Sequence, residues 1–392
     1  MGARNTVLAV GAVLAAVAVA GCGGGGREEG PSSGVRPSQA DVEFDLSGWR
    51  TDFAKHNVAL DEFRSGGPGR DGIPPIDEPK PVSQKQAEGF LDDREPVLVV
   101  ERGGAVRAYP VQILIWHEIV NDELGGRQIA VTYCPLCNSS VVFDRRVGGR
   151  TLSFGTTGNL RKSDLVMWDR QTESWWQQLS AEAIVGTLTG TKLDVLPSQT
   201  LSWASFKARY PRGDVLSRDT GAERDYCRNP YAGYDKRDSE PFLLNGDSDD
   251  RLPPKERVAA VFAGGEVAVF PFSRLAREPV VNDEVGGKKV VVLYAPGVTS
   301  ALDAASISAS KDVGTAAAFE RRVGGRTLQL RRRRGGADDR GRYVDKQTGS
   351  TWDITGTAIS GPLRGRRLKP VRNDQQFWFA LAAFVPEAKI RR

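Results

Sequence analysis

The chain has 392 residues, of which 40% are hydrophobic and 26% are charged, as in an ordinary globular protein, and this length favours two domains with flanking segments. The net charge is +5, and the densest basic cluster is Arg331–Arg334. No aromatic residues alternate with these arginines, as base stacking would require. We therefore expect a solvated turn between strands, and no nucleic-acid partner.

The first 21 residues are typical of a bacterial lipoprotein signal peptide. Arg4 supplies a positive start, and the apolar stretch from Val7 to Ala20 is shorter than a transmembrane helix. Cys22 follows two small residues, as in a lipobox, whose cysteine receives lipid chains such as palmitate. We expect a lipid anchor at Cys22 on the extracytoplasmic face of the cell membrane, with residues 22–40 as a flexible tether. An ordinary secretory leader is the alternative.

Two copies of one module follow each other along the chain. Val120–Gly126 recurs as Val281–Gly287, and Arg145–Leu152 recurs as Arg321–Leu328. The matching order never breaks, and an insertion of 15 residues around 306–317 predicts a loop. The predicted divisions are an N-terminal extension over 41–95, a first module over 96–220, a connecting segment over 221–255 and a second module over 256–392.

Short β-branched or alternating runs predict that each module consists mostly of strands. In chain order, the clearest of these runs are Val97–Glu101, Val106–Tyr109, Ile129–Tyr133, Ser140–Phe143, Leu165–Trp168 and Trp175–Gln178. Pro110 suits the first position of a helix over Val111–Glu118, and Ser202 suits the cap of a helix that ends at Arg209. The expected fold class is β-rich α+β: two tandem copies of a small, mostly antiparallel module, a barrel or a sandwich, with a few short helices.

The two copies disagree at the rare, metal-competent residues. His117, Cys134, Cys137 and Met167 correspond to Glu278, Ala295, Val298 and Tyr343. The flanking tyrosine and proline are kept in both copies. Independent core substitutions have little reason to strike these four positions together. Loss of one shared site in the second module explains the pattern in a single step.

The residue types at these positions indicate a soft metal. Thiolates and thioethers select copper(I), while cysteine with imidazole also suits zinc. The predicted ligands are Cys134, Cys137 and His117, with Met167 as a candidate fourth ligand. Copper is favoured because a thioether is a poor zinc ligand, but a zinc site could instead be completed by Glu118, Asp122 or water. The protein would then be a metal carrier, an assembly factor or an electron-transfer centre, with a metal- or electron-exchange partner in the cell envelope.

Two other interpretations stay open. Cys134 and Cys137 could form the redox pair of an envelope thiol–disulfide oxidoreductase, with His117 lowering a thiol pKa. No thioredoxin-like βαβ pattern surrounds the pair, which weakens this reading. Alternatively, the protein is a non-catalytic binding or scaffold module, and the cysteines only stabilise a turn.

The cysteine motif and its surroundings resemble a known family. The run Trp116–Asp122, followed by Thr132–Asn138, resembles the uncharacterised bacterial family named domain of unknown function 3179. Further segments that fit are Asp71–Asp77, Asp92–Val97, Leu165–Thr172 and Asn229–Tyr234. The resemblance covers roughly residues 60–390, and its most specific part is Tyr-Cys-Pro-Leu-Cys. It implies an exported location and an important Cys-x-x-Cys module, and it supplies no substrate.

Overall fold

Antiparallel β-strands form most of this protein. The structure is a computed structural model, and it describes residues 37–244, 246, 248–333 and 341–391. It is 40% strand and 11% helix, and no sheet of the described residues closes into a barrel. The expected β-rich α+β class is confirmed, in a sandwich-like arrangement. The predicted signal peptide and Cys22 lie outside the described residues.

Short elements of the extension precede the first module. They are 3-10 turns at Gln39–Asp41 and Leu60–Glu62, strands β1 (Phe63–Ser65) and β2 (Pro81–Val82), and helix α1 (Gln84–Ala87). The first module then contains β3 (Pro96–Arg102), β4 (Ala105–Pro110), α2 (Val111–His117), β5 (Ile119–Leu124), β6 (Arg127–Cys134), β7 (Ser139–Asp144), β8 (Arg146–Val147), β9 (Arg150–Thr151), β10 (Phe154–Arg161), β11 (Asp164–Asp169), β12 (Trp175–Gln177), β13 (Glu182–Val185), β14 (Val195–Leu196), β15 (Ser198–Ser202), α3 (Trp203–Arg209) and β16 (Asp214–Leu216).

The second module repeats this order of elements. It contains β17 (Arg257–Ala263), β18 (Glu266–Pro271), α4 (Phe272–Leu275), β19 (Val280–Val285), β20 (Lys288–Ala295), a 3-10 turn (Ile307–Ala309), β21 (Thr315–Glu320), β22 (Arg322–Val323), β23 (Arg326–Thr327), β24 (Leu330–Arg332), β25 (Tyr343–Asp345), β26 (Thr351–Trp352), β27 (Ala358–Ser360), β28 (Lys369–Pro370), β29 (Asn373–Phe377), α5 (Trp378–Phe384) and β30 (Lys389–Ile390). No helix of the described residues combines the length and the apolar character needed to span a bilayer.

Three sheets of the first module have counterparts in the second. The strand orders are β15-β3-β4-β16-β2, β14-β7-β6-β5 and β1-β10-β11-β12-β13 in the first module. The corresponding orders are β29-β17-β18-β30, β28-β21-β20-β19 and β24-β25-β26-β27 in the second. The extension supplies β1 and β2, which add edge strands to two sheets of the first module. The sequence repeat is thus accompanied by a repeat of the strand topology.

The predicted strands of the first module are all present, and the two predicted helices differ from expectation only at their ends. The Ser202 side chain accepts a hydrogen bond from Ser205 N, as the predicted cap requires. Pro110 is the N-cap of α2, not its first helical residue, because its ψ of 129° is extended. Glu118 lies outside α2, since its φ of 59° ends the helix. The chain can therefore turn directly into β5.

The inserted residues lie in the connection that replaces the Cys-x-x-Cys turn. In the first module four residues join β6 to β7, whereas residues 296–314 join β20 to β21. The predicted loop over 306–317 ended too late, because Thr315 begins β21. Ala316 and Ala317 are small residues of loop-like composition, but they are buried against β20.

The residues shared by both copies make the same hydrogen bonds. The Asn121 side chain bonds both backbone groups of Phe154 at 2.8 and 2.9 Å. Asn282 bonds Leu330 in the same way at 2.8 and 3.0 Å. Such side-chain clamps tie one sheet to the next and give the backbone groups of Phe154 and Leu330 their hydrogen-bond partners. The shared residues are therefore scaffold.

Apolar packing joins the two modules. One buried cluster contains Val97 and Leu201 from the first module together with Val291 and Phe319 from the second. Residues 31–392 form one compact unit. Burial of a common core makes each module depend on the other for its stability.

We expect Asn121→Ala and Asn282→Ala to lower the free energy of unfolding by similar amounts, about 1–3 kcal/mol each, since each leaves two backbone groups without a partner. Urea denaturation of residues 31–392 measures the change. Asn57→Ala is the matched control, because Asn57 makes an exposed hydrogen bond to Glu182. An Asn282→Ala variant as stable as the control would contradict the scaffold role.

Candidate metal centre

The two cysteines occupy the tight turn between β6 and β7. Cys134 is the last residue of β6 and pairs with Ser139, the first residue of β7. Asn138 N donates to Pro135 O at 3.1 Å, and Asn138 has a φ of 50°, a left-handed conformation that asparagine tolerates. The turn places both sulfur atoms in the protein interior. Both cysteines are buried, and neither is in a disulfide.

A second tight turn, between β10 and β11, faces the thiols. Its two residues, Lys162 and Ser163, have φ values of 52° and 63°. Positive φ at both positions matches the twist of a two-residue hairpin but is unusual without glycine. The Ser163 carbonyl oxygen lies 3.4 Å from Cys137 Sγ and 4.0 Å from Cys134 Sγ. It accepts from the protonated thiols.

Asp164, the first residue of β11, presents one carboxylate oxygen to the cysteines. Its Oδ2 accepts from Gln177 Nε2 at 2.7 Å and from Leu179 N at 3.0 Å. Its Oδ1 lies 3.4 Å from Cys137 Sγ. The two donors on Oδ2 fix the orientation of the group, as outer hydrogen bonds do for metal-ligating carboxylates.

Cys134, Cys137 and Asp164 together form a group that could hold a metal ion. One ligand atom from each residue lies within 4.8 Å of the other two, and all three residues are buried. The sequence predicted the two cysteines but not Asp164. A signal was present, because Asp164 aligns with Arg340 at the offset that pairs Asp169 with Asp345. The comparison of the two copies was confined to soft side chains and missed this carboxylate.

His117 is not brought together with the cysteines. Its Nδ1 lies 2.7 Å from Pro74 O, and its Nε2 lies 2.6 Å from the Tyr226 hydroxyl. A carbonyl only accepts, so Nδ1 carries the proton and Nε2 accepts from the tyrosine. Both ring nitrogens are thus occupied, and burial lowers the pKa of His117. The ring holds the extension and the connecting segment against the end of α2.

Met167 is fully buried in the apolar cluster that also contains both cysteines. Side chains alternate along β11, which puts Met167 and Asp164 on opposite faces of that strand. In the second module the aligned residue is Tyr343, whose hydroxyl donates to Tyr294 O at 2.8 Å. The larger tyrosine fills core space in the copy that lacks the thiols.

Asp122 lies away from the cysteines. It pairs with Ile129, five residues before Cys134 on β6, which is about 17 Å along the strand. Its carboxylate is held by Arg107 at 2.7 Å and by the Tyr109 hydroxyl at 2.6 Å. Asp122 therefore belongs to a structural ion pair and not to the metal-competent group.

Glu118 lies close enough to Asp164 for the two carboxyl groups to interact. The residue is 7% exposed, and none of the described residues forms a hydrogen bond or ion pair with its carboxyl group. Burial, reinforced by the nearby Asp164 carboxylate, raises the pKa of Glu118 to about 8. Of the two carboxylates that were expected to complete a zinc site, Glu118 and Asp122, only Glu118 lies near the cysteine group.

Desolvation controls the charge of the group. Burial raises the pKa of Asp164 to about 6. Burial also raises the pKa of Cys134 and holds that of Cys137 well above its ordinary value. Without a cation, both thiols are thus protonated at neutral pH. A bound metal would displace these protons and supply the missing positive charge.

The second module and the connecting segment support the cysteine turn. Phe377 N donates to Cys137 O at 2.9 Å. The Tyr234 ring lies 6.3 Å from the Phe377 ring, and Tyr231 is 6.4 Å from Tyr234. The cysteine pair is therefore enclosed by parts of the chain far away in sequence.

Comparison with known proteins identifies the family. The family described as protein of unknown function (DUF3179) matches residues 70–388. No curated protein matches the chain. No solved structure matches it. The match spans most of the chain, including both modules and the cysteine pair, and so the protein belongs to the DUF3179 family.

Proposed function

We propose that Cys134, Cys137 and Asp164 bind a single Zn²⁺ ion. The observation that carries this proposal is the buried, preoriented group of two thiols and one carboxylate oxygen within 4.8 Å of one another. Thiolate and carboxylate are both ordinary zinc ligands. Copper(I), expected from the sequence, prefers an entirely soft donor set, and the imidazole of His117 is engaged elsewhere.

Three protein ligands leave one position of a tetrahedral ion open. Structural zinc sites are closed by four protein ligands, whereas catalytic and exchange sites keep a position for water or another ligand. The cavity beside Glu118 and Leu136 lies next to the group. We infer that the zinc ion is a functional centre and not a structural clamp.

A dithiol–disulfide couple is the second candidate function. It is favoured by the short distance between Cys134 and Cys137, whose sulfur atoms lie within 4.8 Å of each other. Thiol exchange needs an accessible thiolate, and here both thiols are buried with raised pKa values.

Iodoacetamide at pH 7.5 separates the two candidates. The zinc proposal expects rapid alkylation only at the exposed Cys227, whereas a redox pair expects alkylation at Cys134 or Cys137 as well.

We also propose that the protein is held at the cell envelope by lipid on Cys22, where it exchanges metal with a partner. The support comes from the leader sequence, in which a short apolar stretch ends directly before this cysteine. A tether of glycine-rich sequence would let the two modules reach a partner near the membrane.

The zinc proposal predicts one Zn²⁺ per chain for residues 31–392. Cys134→Ser, Cys137→Ser and Asp164→Asn are each expected to weaken binding by about 100-fold or more, because each removes a ligand. Competition with a chromophoric chelator measures the affinity. Cys227→Ser is the matched cysteine control and retains full affinity, and His117→Gln stays within about threefold if the ring is no ligand.

Two outcomes would contradict this proposal. Tight copper(I) binding that survives Asp164→Asn but is lost in His117→Gln would restore the copper site expected from the sequence. Absence of any tight metal binding, with rapid oxidation of the cysteine pair, would favour the redox couple.

Zinc affinity is expected to rise with pH. Both thiols are protonated in the metal-free protein at neutral pH, since burial raises their pKa values, and both must lose a proton to bind zinc. Two released protons correspond to about 100-fold higher affinity per pH unit between pH 6.5 and 8. Below about pH 6 the slope steepens, because Asp164 also becomes protonated. Titration calorimetry in buffers of different ionisation enthalpy counts the protons, and a pH-independent affinity would exclude thiolate ligands.

The lipid proposal predicts that the full-length protein is found in the membrane fraction with a covalently attached diacylglyceryl group. Cys22→Ser is expected to lose the lipid mass and the membrane association, since the acylated thiol is gone. Cys227→Ser, the matched control, keeps both. Fractionation and intact mass spectrometry measure them. A Cys22→Ser protein that stays in the membrane fraction would contradict the anchor.

A further inference from the structure

A cavity of about 280 Å³ lies beside the cysteine turn. Its walls include the aliphatic side chains of Leu136 and Leu165 and the rings of Tyr231, Tyr234 and Phe242. Glu118 also lines it, and we call it the Glu118 cavity. A cavity of about 150 Å³ can hold benzene, so this volume suits a larger organic molecule. Phe242 is 49% exposed and stands at the mouth, which leaves a route for entry.

The Glu118 carboxyl group is the charged group that lines this cavity without a bonding partner among the described residues. Glu118 is 7% exposed, and its carboxyl group has no hydrogen-bond or ion-pair partner among the described residues. A buried polar group without a partner costs free energy, and such groups in native proteins usually have a functional reason. This cost is offset if the carboxylate meets a ligand.

The charge around the cavity selects a cation. None of the described residues that line it is basic. Asp164 lies close enough to raise the pKa of Glu118 by charge repulsion, and two thiolates with one carboxylate would leave a Zn²⁺ centre with a net negative charge. Glu118 is the only charged residue among the described residues that line the cavity, and its carboxylate favours a positive ligand.

The aromatic rings select the kind of cation. Ring faces attract ammonium groups that have shed water, and aromatic residues around a carboxylate are a common way of binding quaternary ammonium ions. The Tyr234 ring, which forms part of the cavity wall, already makes such a contact, since Lys255 Nζ lies 3.5 Å from its ring centroid. Lys255 does not line the cavity and bonds Tyr234 O and Ser239. A metal cation would not need the apolar walls, whereas an organic cation would.

We propose that the Glu118 cavity binds a small organic ammonium ion, whose charge meets the Glu118 carboxylate and whose alkyl groups contact Tyr231, Tyr234 and Phe242. The site adjoins the proposed zinc centre but does not depend on it, because Glu118 is not one of the three metal ligands.

The test compares choline with 3,3-dimethyl-1-butanol, its uncharged carbon analogue of the same shape. Titration calorimetry on residues 31–392, the compact unit, is carried out at pH 9, where the carboxyl group is mostly ionised. We expect choline to bind at least about tenfold more tightly than the alcohol, since only choline gains from the carboxylate and the ring faces.

Glu118→Gln keeps the size of the side chain and removes its charge. We expect this variant to lose the preference, so that the two ligands bind within about twofold of each other. Phe242→Ala at the exposed rim is a second variant that leaves the core intact, and it should weaken choline binding about three- to tenfold. Glu123→Gln, at an exposed position on β5, is the matched control and keeps the wild-type preference.

The outcomes separate this proposal from the zinc proposal. Equal binding of choline and the alcohol by the wild-type protein, or an undiminished choline preference in Glu118→Gln, would overturn the ammonium site. Zinc content measured on the same samples stays near one per chain in Glu118→Gln if the metal proposal holds. Loss of zinc in Asp164→Asn with choline preference retained would show two independent sites.

Discussion

Two thiols and two carboxyl groups share one desolvated region, and this arrangement constrains what the protein can do. Cys134, Cys137, Asp164 and Glu118 are all buried, and burial raises the pKa of each. Such groups are either protonated or neutralised by a cation. The packed core holds them at fixed positions, so the chemistry follows from which positive charge enters. A metal ion suits the thiols, and an ammonium ion suits the cavity beside them.

The repeated scaffold keeps these four groups buried. Each module repeats the same strand orders and the same asparagine clamps between sheets. The second module has no cysteine at the matching positions, yet its Phe377 N donates to the Cys137 carbonyl oxygen. The connection over 296–314 packs on the connecting segment at Asn229 and Gly233. One copy thus carries the cysteine group, and the other copy contributes to its surroundings. A single module would expose the cysteine turn to water.

Local patterns predicted the elements around the site well. Alternation and β-branching predicted the strands, and the Ser202 cap is present with the expected hydrogen bond. The two-copy comparison singled out the cysteines, which do lie with Asp164 in one group. The same comparison also selected His117, which lies apart from this group. His117 ties together the extension and the connecting segment, because its ring nitrogens bond Pro74 O and the Tyr226 hydroxyl.

The sequence by itself determined the duplicated β-rich scaffold, the family and the pair of adjacent thiols, because periodicity, turn residues and cysteine spacing act over a few residues. Only the tertiary structure decided the third member of the metal-competent group, since Asp164 reaches the thiols through a hairpin whose two left-handed residues carry no glycine signal. The same holds for Glu118, because residues from the extension, β10, β11 and the connecting segment together form the cavity that its carboxyl group lines. Desolvation depends on the whole fold, and no run of neighbouring residues encodes it.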